Sequence, residues 1–182
     1  MSAVLIETLG AETVRQQDAA SLCALLVDAV AHGASVGWVR QPSPEAASQY
    51  WHLVADQVEA GTAVLLVARL SGGIVGTVQL QLSARENGRH RGEVARLLVH
   101  TEARRRGIGT ALMRAVEEAA KHRGLHILVL DTRTGDPSQV LYEKLGYQLV
   151  GVVPDYARGT SGALEPTSIM YKLLEHPDGQ TV

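Results

Sequence analysis

Apolar positions change their spacing along the chain, and the changes divide it into elements. Residues 4–9 read as a short strand. Over residues 12–31, Leu22, Leu25, Leu26, Ala29 and Val30 recur at the spacing of one helix face, which predicts a single helix closed by Gly33. Ser43 and Pro44 have the residue types of an N-cap and a first helical position, so a second helix is expected over 44–60, presenting Tyr50, Trp51, Val54 and Val58. Two strands, 62–70 and 74–83, flank the turn Ser71-Gly72-Gly73, and Val78-Gln79-Leu80-Gln81-Leu82 alternates strictly, giving one buried and one wetter face. Asn87-Gly88 turns the chain back into a strand over 92–99, completing an antiparallel meander. Helical spacing returns over 108–123 through Ile108, Ala111, Leu112, Ala115, Val116 and Ala119, and Gly124 stops it. Residues 125–131 are nearly continuously apolar, as an interior strand covered on both faces would be, so 93–131 reads as a right-handed parallel crossover. Asp136-Pro137 opens a helix over 138–145, and strands near 147–153 and 167–174 bracket a loop at 154–165. One domain over 1–175 is expected, with an aperiodic and disordered tail at 176–182.

Charge narrows the partners. The formal net charge of −2 argues against a nucleic-acid binder, which needs a broad basic face. No apolar run approaches the ~18–20 residues of a membrane span, and no secretory leader is evident. The one cysteine, Cys23, lies among leucines and alanines; it reads as core and fits a reducing cytoplasm. Seven histidines without ligand spacing, and no cysteine pair, predict no metal. The arginines at 85, 89 and 91 read as a solvated hairpin tip.

The chemistry is concentrated where the strand ending at Val99 meets the next helix. Arg104-Arg105-Arg106-Gly107-Ile108-Gly109-Thr110 combines glycines at a helix N-terminus with adjacent cations, a combination suited to an anion such as a pyrophosphate. A dinucleotide fingerprint would need glycine at Leu112, and a nucleoside-triphosphate loop would need Gly-Lys-Ser/Thr. An ordinary strand–turn–helix with a solvated basic turn is the remaining local alternative.

That turn, followed by Tyr142 and by Gly146-Tyr147 at the end of a later helix, resembles the signatures of the GNAT superfamily of acyl-CoA-dependent N-acyltransferases. The loop His32-Gly33-Ala34-Ser35-Val36-Gly37-Trp38, together with Glu93-Val94, Asp131-Thr132 and the segment 165–169, resembles the toxin-acetylating branch of that superfamily, the tabtoxin acetyltransferases. Three positions depart from the pattern usual in that superfamily: Thr101 stands in place of a proline, Arg105 in place of a glycine, and Gly135 in place of a frequent asparagine.

The resemblance implies an α/β fold with a mixed, mostly antiparallel sheet of about seven strands, a splayed parallel pair and helices on both faces. It implies acetyl-CoA held by the backbone of Leu97, Leu98 and Val99, by residues 104–110, and by Ser138 and Tyr142. Tyr142 would protonate the departing thiolate, since a phenol of pKa about 10 keeps its proton at neutral pH. Asp131 is expected to be partly buried and to serve as base or ammonium binder; Glu93 is the second candidate base. Ser35 and Trp38 in the first loop, and Tyr156 in the second, would line the acceptor site. A small amino-acid-like amine is the expected acceptor, with toxins and antibiotics among the candidates, acetylated by direct attack by a monomer or homodimer. A protein or peptide acetyltransferase and a non-catalytic CoA sensor are the alternatives.

Overall fold

A computed structural model describes residues 4–175. Its elements run β1 (Leu5–Leu9), α1 (Ala11–Arg15), α2 (Ala19–Ala31), α3 (Pro44–Glu59), β2 (Ala63–Leu70), β3 (Gly73–Leu82), β4 (Arg91–Val99), α4 (Ile108–Lys121), β5 (Ile127–Arg133), α5 (Pro137–Lys144), β6 (Gln148–Arg158) and β7 (Leu164–Leu173). The strands form one seven-stranded sheet in the order β1-β2-β3-β4-β5-β7-β6. All neighbours are antiparallel except β4 and β5, so the expected mixed α/β architecture is present.

Two apolar clusters cover the two faces. On one, α4 lays Ile108, Leu112, Met113 and Val116 against Val78, Leu80, Val94, Leu128 and Leu130. On the other, α1–α3 pack Val14, Leu25, Leu26, Trp51 and Val54 against Leu65, Val67 and Leu98. Val94 and Leu98 are four residues apart on one strand, yet they enter opposite clusters. Side chains alternate with a period of two, so an extra residue must intervene. It does: β4 carries a bulge against β3 between the Gln79–Ala95 and Thr77–Leu98 pairs, and Arg96 sits there at φ +54°. The Thr77 hydroxyl donates to the Arg96 carbonyl (3.4 Å) inside this kink.

Three boundaries differ from the sequence pattern. The single helix expected over 12–31 is broken at residues 16–18 into α1 and α2. Asp18 is buried there and its carboxylate takes both terminal nitrogens of Arg69 on β2, so a tertiary ion pair overrides helical continuity. The Asn87-Gly88 two-residue turn is instead part of a short 3-10 turn over Glu86–Gly88, within a longer connection. The loop expected at 154–165 is largely a hairpin. A bulge between Val153 and Ala157 absorbs Pro154, which has no N–H to donate, and Asp155 at φ +52°, after which the ladder resumes through Ala157–Glu165 and Arg158–Leu164. The tail expected to be disordered lies outside the described residues.

β7 is tied to α4 by an ion pair that Lys172 Nζ makes to Glu117 Oε2 at 2.7 Å, with the ammonium also 5.6 Å from the centroid of the Tyr147 ring. Glu117 is buried and its other oxygen has no hydrogen-bond partner. Lys172→Met should therefore leave a buried charge uncompensated and cost about 3 kcal/mol in urea unfolding. Adding Glu117→Gln should recover part of that loss; purely additive losses would show that the two groups do not interact.

Candidate active site

The parallel β4–β5 ladder is short. It pairs Arg91 with Ile127, Gly92 with Leu128 and Glu93 with Val129, and stops. Beyond that point the strands diverge, and a cavity of about 960 Å³ opens between them. Pockets for small ligands span roughly 300–1,000 Å³, so this one lies at the roomy end.

One wall is the turn between β4 and α4. Gly107 is the N-cap of α4 at φ +77°, a left-handed conformation that costs glycine little, and no side chain caps the helix. The first-turn N–H groups are thus left for an outside acceptor, as an anion site requires. Arg105 is also left-handed, at φ +64°, which is the conformation glycine supplies most cheaply. Arg104 reaches back to donate from Nε to the Val99 carbonyl (3.2 Å), fixing the turn to the end of β4. Leu97, Leu98, Val99, Arg104, Arg105, Gly107, Ile108, Gly109 and Thr110 all border the cavity; Arg106 does not.

Thr101, where the resemblance leads one to expect proline, has a visible role. Its amide and hydroxyl both donate to Asp28 Oδ2, at 2.8 and 3.0 Å, docking this turn onto the end of α2. Proline could offer neither bond. Burial on its own would raise the Asp28 pKa, but the Thr101 bonds, with His100 and His32 nearby, outweigh it and hold the carboxyl below its ordinary value. A depressed carboxyl contributes stability that is fully present above its unfolded pKa of about 3.9 and is lost as pH falls through the folded value. Asp28→Asn should therefore be less stable than the parent by about 1 kcal/mol at pH 7. The gap should begin to narrow below about pH 4 and close as the pH falls through the folded value, as urea titrations across that range would read.

At the far side of the opening, β5 presents Asp131 and α5 presents Tyr142. Thr132 and Ser138, joined hydroxyl to hydroxyl at 2.8 Å, hold the end of β5 against the first turn of α5. Asp131, Ser138 and Tyr142 border the cavity. Tyr142 is buried, 5.9 Å from the Tyr147 ring in a tilted pair. Burial, reinforced by the charges of Asp131 and Asp136, pushes the Tyr142 phenol above its ordinary pKa, so it keeps its proton at neutral pH.

Asp131 corrects one expectation. It is exposed to the opening rather than partly buried, because β5 turns Leu128, Leu130 and Thr132 to the α4 side and Asp131 to the other. It also accepts no hydrogen bond from the following turn among the described residues. The Gly135 amide donates to Gln139 Oε1 (3.0 Å), and the Thr134 amide to the Pro166 carbonyl (3.0 Å). Glu93 is in register with Val129 and therefore shares the face that Asp131 occupies two residues on. Gln81, paired with Glu93 across β3, extends the row. The wetter face of the alternating stretch 78–82 is thus one floor of the cavity.

Ser35 lines the opening beside Gly33 and Val36. Trp38 does not; it packs at the edge of the α1–α3 cluster. Tyr156 is 53% exposed on the edge strand β6 and is not among the lining residues, because the segment that carries it is strand and not a loop folded over the site. Arg96 and Arg133, in contrast, line the cavity without having stood out in the sequence. Only a bulge in β4 turns Arg96 inward, and no residue pattern announces that bulge. Cys23 is not among the lining residues either. Among the described residues no group of three or more His, Cys, Asp or Glu could hold a metal ion, and no helix is long and apolar enough to cross a membrane.

Comparisons with known proteins bear on this geometry. The profile of the Acetyltransferase (GNAT) family matches residues 15–147. An uncharacterized N-acetyltransferase in the hisH-hisA intergenic region of Azospirillum brasilense is 36% identical over 135 residues, 73% of this chain and 77% of that protein. An L-methionine sulfoximine/L-methionine sulfone acetyltransferase of Pseudomonas aeruginosa is 25% identical over 158 residues, covering 86% and 90%. In fold, the chain is similar to yncA of Salmonella typhimurium, a structure solved with its cofactor acetyl-CoA (TM-score 0.77, 17% identity, 96% of each chain). It is similar too to the ribosomal-protein-alanine N-acetyltransferase of Brucella melitensis (TM-score 0.77, 23% identity, 93% of this chain and 99% of that one). With the uncapped glycine turn, the splayed parallel pair and the family match spanning both, the chain belongs to the GNAT family and is an N-acetyltransferase.

Proposed function

We propose that this enzyme transfers the acetyl group of acetyl-CoA directly to the amine of a small, amino-acid-like molecule. The observation that carries the reading is the pairing of two ends in one cavity. An uncapped helix N-terminus flanked by arginines suits a pyrophosphate, and two carboxylates on one sheet face suit an ammonium. The fit to CoA rests on the turn itself: Gly107 leaves the first-turn amides of α4 unmasked, and Arg104 and Arg105 supply charge-assisted contacts to phosphate oxygens. Bound there, acetyl-CoA supplies an activated thioester. Leu97, Leu98 and Val99 lie on β4 past the last β5 pair, so the edge of β4 that faces away from β3 can run alongside an extended arm and polarise a carbonyl.

The remaining steps fall to side chains. Asp131 or Glu93 holds the substrate ammonium and takes its proton, directly or through water, so that a neutral amine attacks. Tyr142 keeps its phenolic proton until negative charge grows on the sulfur and then donates it. Ser35 and its neighbours narrow the acceptor end. The Pseudomonas aeruginosa relative, which acts on methionine sulfoximine and sulfone, supports an amino-acid-like acceptor, and the resemblance to tabtoxin acetyltransferases supports an amino-acid-like toxin among the candidates.

Thiol release from acetyl-CoA tests this with methionine sulfone, methionine sulfoximine, the twenty standard amino acids and a short peptide as acceptors. Turnover on free amino acids or the sulfone is expected. Turnover confined to the peptide would instead establish a protein acetyltransferase, and tight CoA binding without thiol release on any amine would establish a sensor.

A further inference from the structure

Four arginines border the cavity, and three have evident occupations. Arg104 and Arg105 belong to the turn at the head of α4. Arg133 is balanced by Glu165 (3.1 Å) and Asp136 (3.7 Å), and it donates to the Gly33 carbonyl (2.5 Å). Arg96 differs from the exposed Arg104 and Arg105 in its burial, and from Arg133 in its lack of a counter-ion. It is half-buried, and among the described residues no carboxylate lies within ion-pairing distance of it.

Its surroundings position the guanidinium without neutralising it. The β4 bulge, at φ +54°, turns the side chain toward α3 and the α2–α3 loop. There it meets the Tyr50 hydroxyl, which in turn accepts a hydrogen bond of 2.8 Å from the amide nitrogen of the buried Gln79. Gly37 lies over its other edge: a Cβ at that position would stand 3.2 Å from Arg96 Nη2, so glycine lets the loop close to contact. Phenol and amide are neutral, so the positive charge remains available to the cavity. Holding a partly desolvated cation in a left-handed backbone, on a dedicated polar support, is costly unless something anionic meets it.

We infer that Arg96 is the anchor for the carboxylate of the acceptor, giving the enzyme a subsite specific for α-amino acids and related amino carboxylates. The inference rests on the proposed amino-acid-like acceptor. Glu93 and Asp131 supply the complementary negative end on the same cavity. An ammonium at the carboxylates and a carboxylate at Arg96 would fix the reactive nitrogen against rotation about the molecule's long axis. Tyr50 and Gln79 are then positioning residues that hold the guanidinium in place.

The test pairs each amino acid of the panel, methionine sulfone included, with its α-amide, which keeps the amine and loses the negative charge. A charge-assisted, two-pronged contact makes the acid preferred by about 30-fold in kcat/KM. Arg96→Gln should collapse that preference toward unity, and Arg96→Lys should restore part of it. Equal turnover of acids and amides by the parent enzyme would overturn the proposal, as would an Arg96→Gln variant that keeps the 30-fold preference. Binding supplies a readout independent of turnover. In CoA-saturated, ¹⁵N-labelled protein, the Arg96 Nε–H resonance, identified by its absence in Arg96→Lys, should shift on adding accepted amino acids but not their amides. That shift without turnover would support the subsite while refuting the catalytic reading; no shift with any of the amino acids would overturn the subsite itself.

Discussion

Replacing Tyr142 with phenylalanine is expected to lower kcat by about 10²–10³-fold, within the range that a positioned general acid contributes, while the affinity for acetyl-CoA changes little. The substitution removes one hydroxyl and keeps the ring, which packs 5.9 Å from Tyr147. Folding should thus be nearly unaffected, and a thermal melt would confirm that the loss is chemical. The effect should also depend on the leaving group. With a thioester whose thiol is more acidic than CoA, the departing thiolate needs less protonation, and the gap between the parent and Tyr142→Phe should shrink. A pH profile supplies a second arm. Burial and the nearby charges of Asp131 and Asp136 hold the phenol pKa above its ordinary value, so Tyr142 stays protonated throughout the neutral range and should add no alkaline limb below about pH 10. Wild-type turnover in the phenylalanine variant would remove the general-acid assignment.

Much of the candidate site was legible in the sequence because the half proposed to hold the cofactor is built from local geometry. Glycine at 107 and an anion-ready helix start at 108 follow from residue types within a few positions, and the apolar run ending at Asp131 set the parallel crossover. The acceptor half depends on contacts distant in sequence and was less legible. Arg96 turns inward only because β4 bulges against β3, Asp18 breaks a helix only because Arg69 lies 51 residues away, and Tyr156 joins an edge strand because β6 finds its partner again after Pro154. The alternation of Gln79 and Gln81 with leucines did carry a usable signal. It marked a wet face on a central strand, and that face is where Glu93, Gln81 and the support for Arg96 lie.

Asp131→Asn is expected to have the second large effect, a fall of about 10²-fold or more in kcat/KM for the amine, with the acidic limb of the pH profile shifted or lost. The choice between the two carboxylates turns on what each is free to do. Asp131 makes no bond to its own turn, faces the opening, and lies near enough to Tyr142 for its charge to bear on the phenol. A base there, beside the proposed general acid, would shorten the path between the proton removed from nitrogen and the proton delivered to sulfur. Glu93 lies on the neighbouring strand, in register with Val129 and so two residues short of Asp131 along the sheet. That position suits a base acting through an intervening water. Glu93→Gln should accordingly cost less than Asp131→Asn and leave the acidic limb in place. If the two losses are equal and the double variant is no worse than either single one, the carboxylates work as a unit, and the proton travels through both. If only Glu93→Gln removes the limb, Asp131 is reduced to holding the ammonium. Its substitution would then raise KM for the amine and leave kcat largely intact.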